Sequence, residues 1–331
     1  MPVPTTTNKG SSRWRTIALL VTKIAVTFSL IYWLLSGVRS QDILRTVTLI
    51  EPAPFVAAIL LHAAAFVAGG LRWWLLLRHA YARTRFRSVF PSYYLGVFSN
   101  IFLPSGVGGD FVRTIHLNIR GLSAKALVGS ALIDRTIGLL VVLVMGSTSL
   151  ALSPDIVLDY RSKLALLGFV SAVSVAVVLL MWPPFNAAVE RLAKRYRNTR
   201  RRRALLEIIS LCHSYRTRVH LLLAAVALTV AMQTLVILTY YLLGRGIGVN
   251  LSPITYFGII PLVFLAANLP ISIGGLGVRE STLVGLLVAA RVEFHLAVTL
   301  SLVYLLVLWL ASAPGAAVLL LNIRKPAPMS P

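Results

Sequence analysis

The chain has 331 residues, 57% of them hydrophobic and only 13% charged, with a mean hydropathy of +0.83; soluble domains carry about a quarter charged residues, so that class is excluded. The formal net charge of +22 does not indicate nucleic acid, because the cations fall in short loops between apolar runs and not on one soluble face. The single cysteine, Cys212, excludes an internal disulfide and a cysteine-based metal site.

The N-terminus is basic from Lys9 to Arg15 and apolar from Ile17 to about Leu35. It lacks a small-residue cleavage site, so it reads as a retained first helix and not a leader. Full spans are predicted at 17–36, 55–77, 126–150, 164–182, 221–243 and 296–321, each near or above the length that crosses a hydrocarbon core. Four shorter apolar segments remain: 89–103 and 110–119, then 255–269 and 278–290. A 15-residue arm reaches roughly 22 Å, short of the ~30 Å core. Each pair is therefore read as a re-entrant hairpin that enters and leaves on one side. The alternative, in which all four arms cross with tilt, stays open, since mismatch of this size costs little.

The fold class that follows is an all-α polytopic membrane protein, a single transmembrane domain over 1–331. It is an inverted repeat of helix, helix, re-entrant hairpin, helix, with six full spans and two broken hairpins. The first repeat covers 15–160 and the second 161–322. Lys and Arg gather before residue 16, at Arg78 to Arg87, between Arg191 and Arg218, and at Arg324 and Lys325. The positive-inside rule places these segments and both termini in the cytoplasm, in a cytoplasmic membrane whose anionic surface attracts them. The first hairpin then enters from the cytoplasm and the second from outside. The insertion 183–220 contains the run Arg200 to Arg203 and the amphipathic stretch 204–218, which reads either as a helix on the inner surface or as a solvated basic loop.

Both hairpins break on one pattern, Leu-Pro, three residues, Gly-Gly, two residues, Val-Arg. It runs from Leu103-Pro104 through Gly108-Gly109 to Val112-Arg113, and from Leu269-Pro270 through Gly274-Gly275 to Val278-Arg279, 166 residues later. Paired breaks in two related halves mark the substrate site of many transporters. A glycine turn lets backbone N–H groups approach a ligand, and the helix that follows aims its positive end at it. Gly108, Gly109, Gly274 and Gly275 are therefore candidate substrate-binding residues.

Of only ten acidic residues, Asp110, Asp134 and Glu280 fall in or beside apolar segments, where an ionised side chain needs a partner. Each has an arginine close in sequence: Arg113, Arg135 and Arg279. Two readings are open. The pairs lock helices together, or the arginines grip an anionic headgroup through phosphate contacts while the carboxylates release it; the repeated break favours the second. Asn100 and Asn268 are expected to tie down backbone groups freed at the breaks. His62 reads as a satisfied core histidine, Gln233 as an interhelical bond, and Arg72-Trp73-Trp74 with Tyr93-Tyr94 as interfacial anchors, with an aromatic lining for an acyl chain as the alternative. No Walker A, His-Glu-x-x-His or Gly-x-Ser-x-Gly pattern is present, so neither ATP-driven transport nor a standard hydrolase is indicated, and no cofactor is expected.

Asn100 through Pro104 to Gly109-Asp110 and Arg113, then Asp134-Arg135 with Gly138, then Pro270 through Gly274-Gly275 and Gly277 to Arg279-Glu280, form an ordered set. It resembles the flippase-like membrane domain of lysylphosphatidylglycerol synthases over roughly residues 15–322. The resemblance implies translocation of a modified phospholipid between leaflets, with Asp110, Arg113, Asp134, Arg135, Arg279 and Glu280 near the headgroup path. Asp134 stands where many relatives carry Glu, which keeps the charge. The synthases continue into an aminoacyltransferase domain and this sequence stops at Pro331, so lysine transfer is not expected.

The leading expectation is a non-enzymatic lipid flippase for a phospholipid or other phosphate-bearing polar lipid. The alternative is a membrane scaffold that recruits a lipid-modifying enzyme, a glycosyltransferase or aminoacyltransferase, through its Arg-rich loop. An intramembrane enzyme ranks third, because no nucleophile stands at usable spacing from a base.

Overall fold

The computed structural model describes residues 9–39, 52–79, 81, 83–103, 108–153, 218–269 and 271–322, with isolated positions between 41 and 48 and between 160 and 191. Most of the predicted span 164–182 lies outside these residues. So do Pro104, Pro270, Arg200 to Arg203, Cys212, the amphipathic stretch up to 217, Arg324 and Lys325.

Every regular element among the described residues is a helix. These are α1 (Lys9–Ser36), α2 (Pro52–Leu77), α3 (Phe86–Phe102), α4 (Gly108–Ile119), α5 (Ala124–Leu152), α6 (Val219–Gly246), α7 (Pro253–Ala267), α8 (Val278–Ala289), α9 (Phe294–Ser312) and α10 (Pro314–Asn322). Four described stretches are long and apolar enough to cross a membrane: Pro52–Leu77, Ala126–Leu152, Val219–Gly246 and Phe294–Leu321. The predicted span 17–36 lies within α1. The predicted span 296–321 is divided at Ala313 into α9 and α10, because Pro314 offers no N–H and its ring crowds the carbonyl one turn back.

The arms beside the breaks are short: 17 and 12 residues for α3 and α4, 15 and 12 for α7 and α8. At 1.5 Å per residue the shorter arms reach only about 18 Å. α3 folds back on α4, and α7 on α8. The long helices α2 and α6 lie along each other, α5 packs on α7, and α10 packs on α3. Phe28, Phe111, Leu152, Leu223 and Leu320 each expose more than 60% of their surface. Such apolar side chains facing outward suit a hydrocarbon surround.

One sequence expectation fails here. Trp73 is wholly buried and Tyr93 and Tyr94 nearly so, which is not the setting of interfacial anchors. Two of the polar tips find partners inside the bundle: the Trp73 Nε1 donates to Ser130 Oγ at 3.3 Å and the Tyr94 hydroxyl to the Ala311 carbonyl at 3.0 Å. A buried indole or phenol is stable on those terms. Trp74 alone behaves as expected, half-exposed, donating to the Thr84 carbonyl at 2.9 Å and lying under the Arg78 guanidinium at 5.1 Å.

The two breaks touch. Gly274 N donates to the carbonyl of Leu103 at 3.1 Å, so a segment just past the second Leu-Pro closes on the end of the arm before the first. Gly274 has φ +57, and a β-carbon on it would stand 2.5 Å from the Ile101 carbonyl oxygen and 2.8 Å from that of Asn100. Both obstacles are backbone, so neither can swing away. We therefore expect Gly274→Val to lower stability by about 3 kcal/mol or more from strain and overlap together. Gly285 in α8 meets nothing within 4 Å, and Gly285→Ala should be neutral or stabilising by roughly 0.5–1 kcal/mol. Thermal unfolding in detergent, followed by tryptophan fluorescence, reads both; equal shifts in the two variants would contradict the contact.

Candidate functional site

The site is assembled around the close approach of α3 and α4. A β-carbon on Gly109 would overlap the Gly96 carbonyl oxygen, and one on Gly96 would lie 2.6 Å from the Gly109 carbonyl. Only glycine at both positions lets the two backbones meet. Asn100 closes the corner by accepting a hydrogen bond from Gly109 N at 2.9 Å, the backbone tie expected for it. Gly108 is tight for a different reason, since a β-carbon there would meet the Leu103 side chain at 2.6 Å.

This packing carries Arg113, one turn into α4, to the centre of the molecule. There the ion pairs depart from sequence adjacency. Asp134 does not pair with Arg135; it accepts from Arg72 Nε at 2.5 Å on one oxygen and from Arg113 Nη2 at 2.9 Å on the other. Asp110 binds Arg113 at 2.9 Å and Arg135 Nε at 2.5 Å, again one oxygen each. Neighbouring residues on a helix diverge by about 100°, so Asp134 and Arg135 face different partners. Arg135 also donates to Asn268 Oδ1 at 2.9 Å, and the Asn268 amide donates to the Phe264 carbonyl at 2.8 Å. Asn268 thus links the network to α7.

Arg72 was missed as a site residue. It is 6% exposed on α2 and also donates to Thr229 Oγ1 on α6 at 3.1 Å. An arginine inside an apolar span should have called for a carboxylate partner, but the adjoining tryptophans pointed to the interface instead. Arg113 lies over the Trp73 ring at 4.2 Å and the Tyr93 ring at 5.4 Å. The aromatic pair supplies a cation–π surface where water would otherwise be needed.

At the second break, Arg279 binds Glu280 Oε1 through Nη2 at 2.5 Å and Nε at 2.9 Å, and lies over Tyr304 at 5.7 Å. The other oxygen of Glu280 accepts from Gly277 N at 2.6 Å. Glu280 therefore caps α8, a role that fits its place three residues into the helix. Gly275, with φ +77, serves the turn that precedes it.

A cavity of about 300 Å³ lies between the two breaks. Asp110, Arg113, Asp134, Arg135 and Arg279 line it, together with Gly109 and Gly274. Gly108, Gly275 and Glu280 do not. The wall also includes Arg72, His62 and Gln233. His62 is buried as expected, edge-on to Phe66 at 4.8 Å and Tyr304 at 5.4 Å, but its Nδ1 has no partner and it is not a satisfied core histidine. Gln233 Nε2 likewise has no hydrogen-bond partner among the described residues. Among the described residues no group of three or more His, Cys, Asp or Glu is placed to hold a metal.

A bundle of apolar helices around a charged cavity defines a multi-pass membrane protein with an internal polar site. The chain belongs to the family described as Lysylphosphatidylglycerol synthase TM region, which matches residues 20–315. No curated protein matches it.

The network is testable as a unit. Asp134→Asn leaves Arg72 with neutral acceptors only and Arg113 with Asp110 as its one carboxylate, and breaking a buried pair costs about 3–5 kcal/mol. Asp134→Glu restores the charge and should recover most of that stability. An Asn variant as stable as the parent in detergent melting would contradict the pairing.

Proposed function

We propose that this protein is a lipid flippase or transporter that moves a phosphate-bearing polar lipid between leaflets of the cytoplasmic membrane. The observation that carries the reading is the composition of the cavity region: Arg72, Arg113, Arg135 and Arg279 stand against Asp110, Asp134 and Glu280. Four guanidiniums face three carboxylates, which leaves one positive charge for one phosphodiester. Guanidinium forks match phosphate oxygens as they match carboxylates.

The arginines divide by exposure. Arg72 and Arg113 have only 7% and 4% of their side chains exposed, whereas Arg279 has 12% and Arg135 28%. Arg135 and Arg279 are then the residues that meet the headgroup, and Arg72 and Arg113 hold the framework through Asp134. Exchange of a carboxylate for a phosphate on Arg135 keeps its donors satisfied and leaves Asp110 paired with Arg113, so the headgroup enters there without leaving a buried charge unpaired. The membrane-lipid association of the family supports a lipid as cargo.

The helix contacts support two related halves, 15–160 and 161–322. If α2, α3, α4 and α5 correspond to α6, α7, α8 and α9 with α10, the contacts come in matching pairs. α3–α4 matches α7–α8, α4–α5 matches α8–α9, α2–α5 matches α6–α9, and α5–α7 matches α10–α3. α2 and α6 pair with each other. With the basic loops placed inside, the halves are inverted and Arg113 and Arg279 are counterparts near the midplane, the arrangement of many alternating-access transporters. Rocking of one hairpin against the other at the Leu103–Gly274 contact would open the cavity alternately to each leaflet.

In proteoliposomes carrying acyl-labelled phosphatidylglycerol, we expect the protein to accelerate leaflet exchange, scored by quenching of the outer label. Arg135→Gln and Arg279→Gln should each slow it by about tenfold, the loss of one charge-assisted contact. Unchanged exchange in both variants would sink the transport reading.

A further inference from the structure

The proposed transport leaves two groups in the cavity wall unused. His62 and Gln233 are 2% and 4% exposed, and among the described residues His62 Nδ1 and Gln233 Nε2 have no hydrogen-bond partner. A buried polar atom left unpaired costs about 1–3 kcal/mol. Two of them on one cavity wall call for a ligand that supplies the missing partners.

Their positions relate them to the arginines. Gln233 lies one turn along α6 from Thr229, the residue that accepts from Arg72. His62 packs edge-on to Tyr304, the ring over which Arg279 lies and against which Tyr240 stacks at 3.7 Å. Both unpaired groups therefore share the wall of one cavity with Arg72 and Arg279. None of their neighbours there offers a free carboxylate. Each oxygen of Asp110 and Asp134 already takes one guanidinium nitrogen, and both oxygens of Glu280 are engaged.

A cavity near 300 Å³ holds a headgroup and not its acyl chains, since pockets for drug-sized ligands begin at about that volume. We infer that the lipid is anionic, with an uncharged, hydroxyl-bearing headgroup that hydrogen-bonds His62 and Gln233, and that a headgroup carrying an ammonium is disfavoured. A hydroxyl both donates and accepts, so it suits the Gln233 amide N–H and either tautomer of His62. An ammonium only donates. It would meet four arginines, an unpaired amide N–H and no unengaged carboxylate. This inference rests on the phosphate-reading cavity proposed above and adds what stands beyond the phosphate.

The test uses the full chain and three acyl-matched lipids: phosphatidylglycerol, phosphatidylmethanol, which keeps the phosphodiester and lacks the hydroxyls, and lysyl-phosphatidylglycerol, which adds ammonium groups. Native mass spectrometry in detergent reads binding, and proteoliposomes read exchange. Two hydrogen bonds predict that phosphatidylglycerol binds about tenfold more tightly than phosphatidylmethanol, with lysyl-phosphatidylglycerol the weakest of the three. In His62→Phe and in Gln233→Leu the phosphatidylglycerol-to-phosphatidylmethanol ratio should fall toward one. A ratio is insensitive to partial loss of folded protein, and the two variants on different helices check each other.

Equal binding of phosphatidylglycerol and phosphatidylmethanol by the parent, a ratio unchanged in both variants, or preference for lysyl-phosphatidylglycerol would overturn the inference. Exchange without headgroup preference would overturn it and leave transport standing. Headgroup-selective binding without any exchange would overturn transport and leave the headgroup assignment standing.

Discussion

Asp134 is the charge on which the interior depends. It sits on α5, is 3% exposed, and takes one arginine from α2 and one from α4. Three helices are thereby tied at one buried carboxylate. Arg113 extends the tie to Asp110, Asp110 to Arg135, and Arg135 to Asn268 on α7. Such a chain of buried charges is a poor source of net stability compared with apolar packing, because each ion has been stripped of water.

The backbone makes the network possible. Arg113 reaches Asp134 because Gly96 and Gly109 allow α3 and α4 to touch main chain to main chain. The second break closes on the first because Gly274 adopts a positive φ against the carbonyls of Asn100 and Ile101. Small residues permit the approach, the approach places the cations, and the cations shape the cavity between the two hairpins. Removal of one β-carbon's worth of space at either contact would move the charges as well as the helices.

Much of this was legible in the sequence. The four arms flanking the breaks fall within three residues of their predicted limits, because proline and glycine punctuate apolar runs strongly. The paired pattern ending at Arg113 and Arg279 located two of the cavity's arginines. Partnership was not legible. Asp134 and Arg135 are adjacent in sequence and bind different helices, and Arg72, the missing partner, lies 62 residues upstream of Asp134. Its neighbours Trp73 and Trp74 carried the pattern of an interfacial belt, yet Trp73 turns inward to meet Ser130 and the Arg113 guanidinium. Glu280 carried the pattern of a site residue and serves as a helix cap, since its place in the first turn of α8 satisfies both roles equally on paper. Hairpin boundaries are set locally, whereas ion pairs between helices depend on which faces pack.

The central claim is that a lipid phosphate occupies the cavity between the two breaks. A structure determined by electron microscopy in nanodiscs containing an anionic phospholipid tests it most directly. The account predicts headgroup density inside the cavity within hydrogen-bond distance of Arg135 or Arg279, with acyl chains leaving between helices toward the bilayer. Lipid density confined to the outer surface of the bundle, with only water between Arg135 and Arg279, would contradict it.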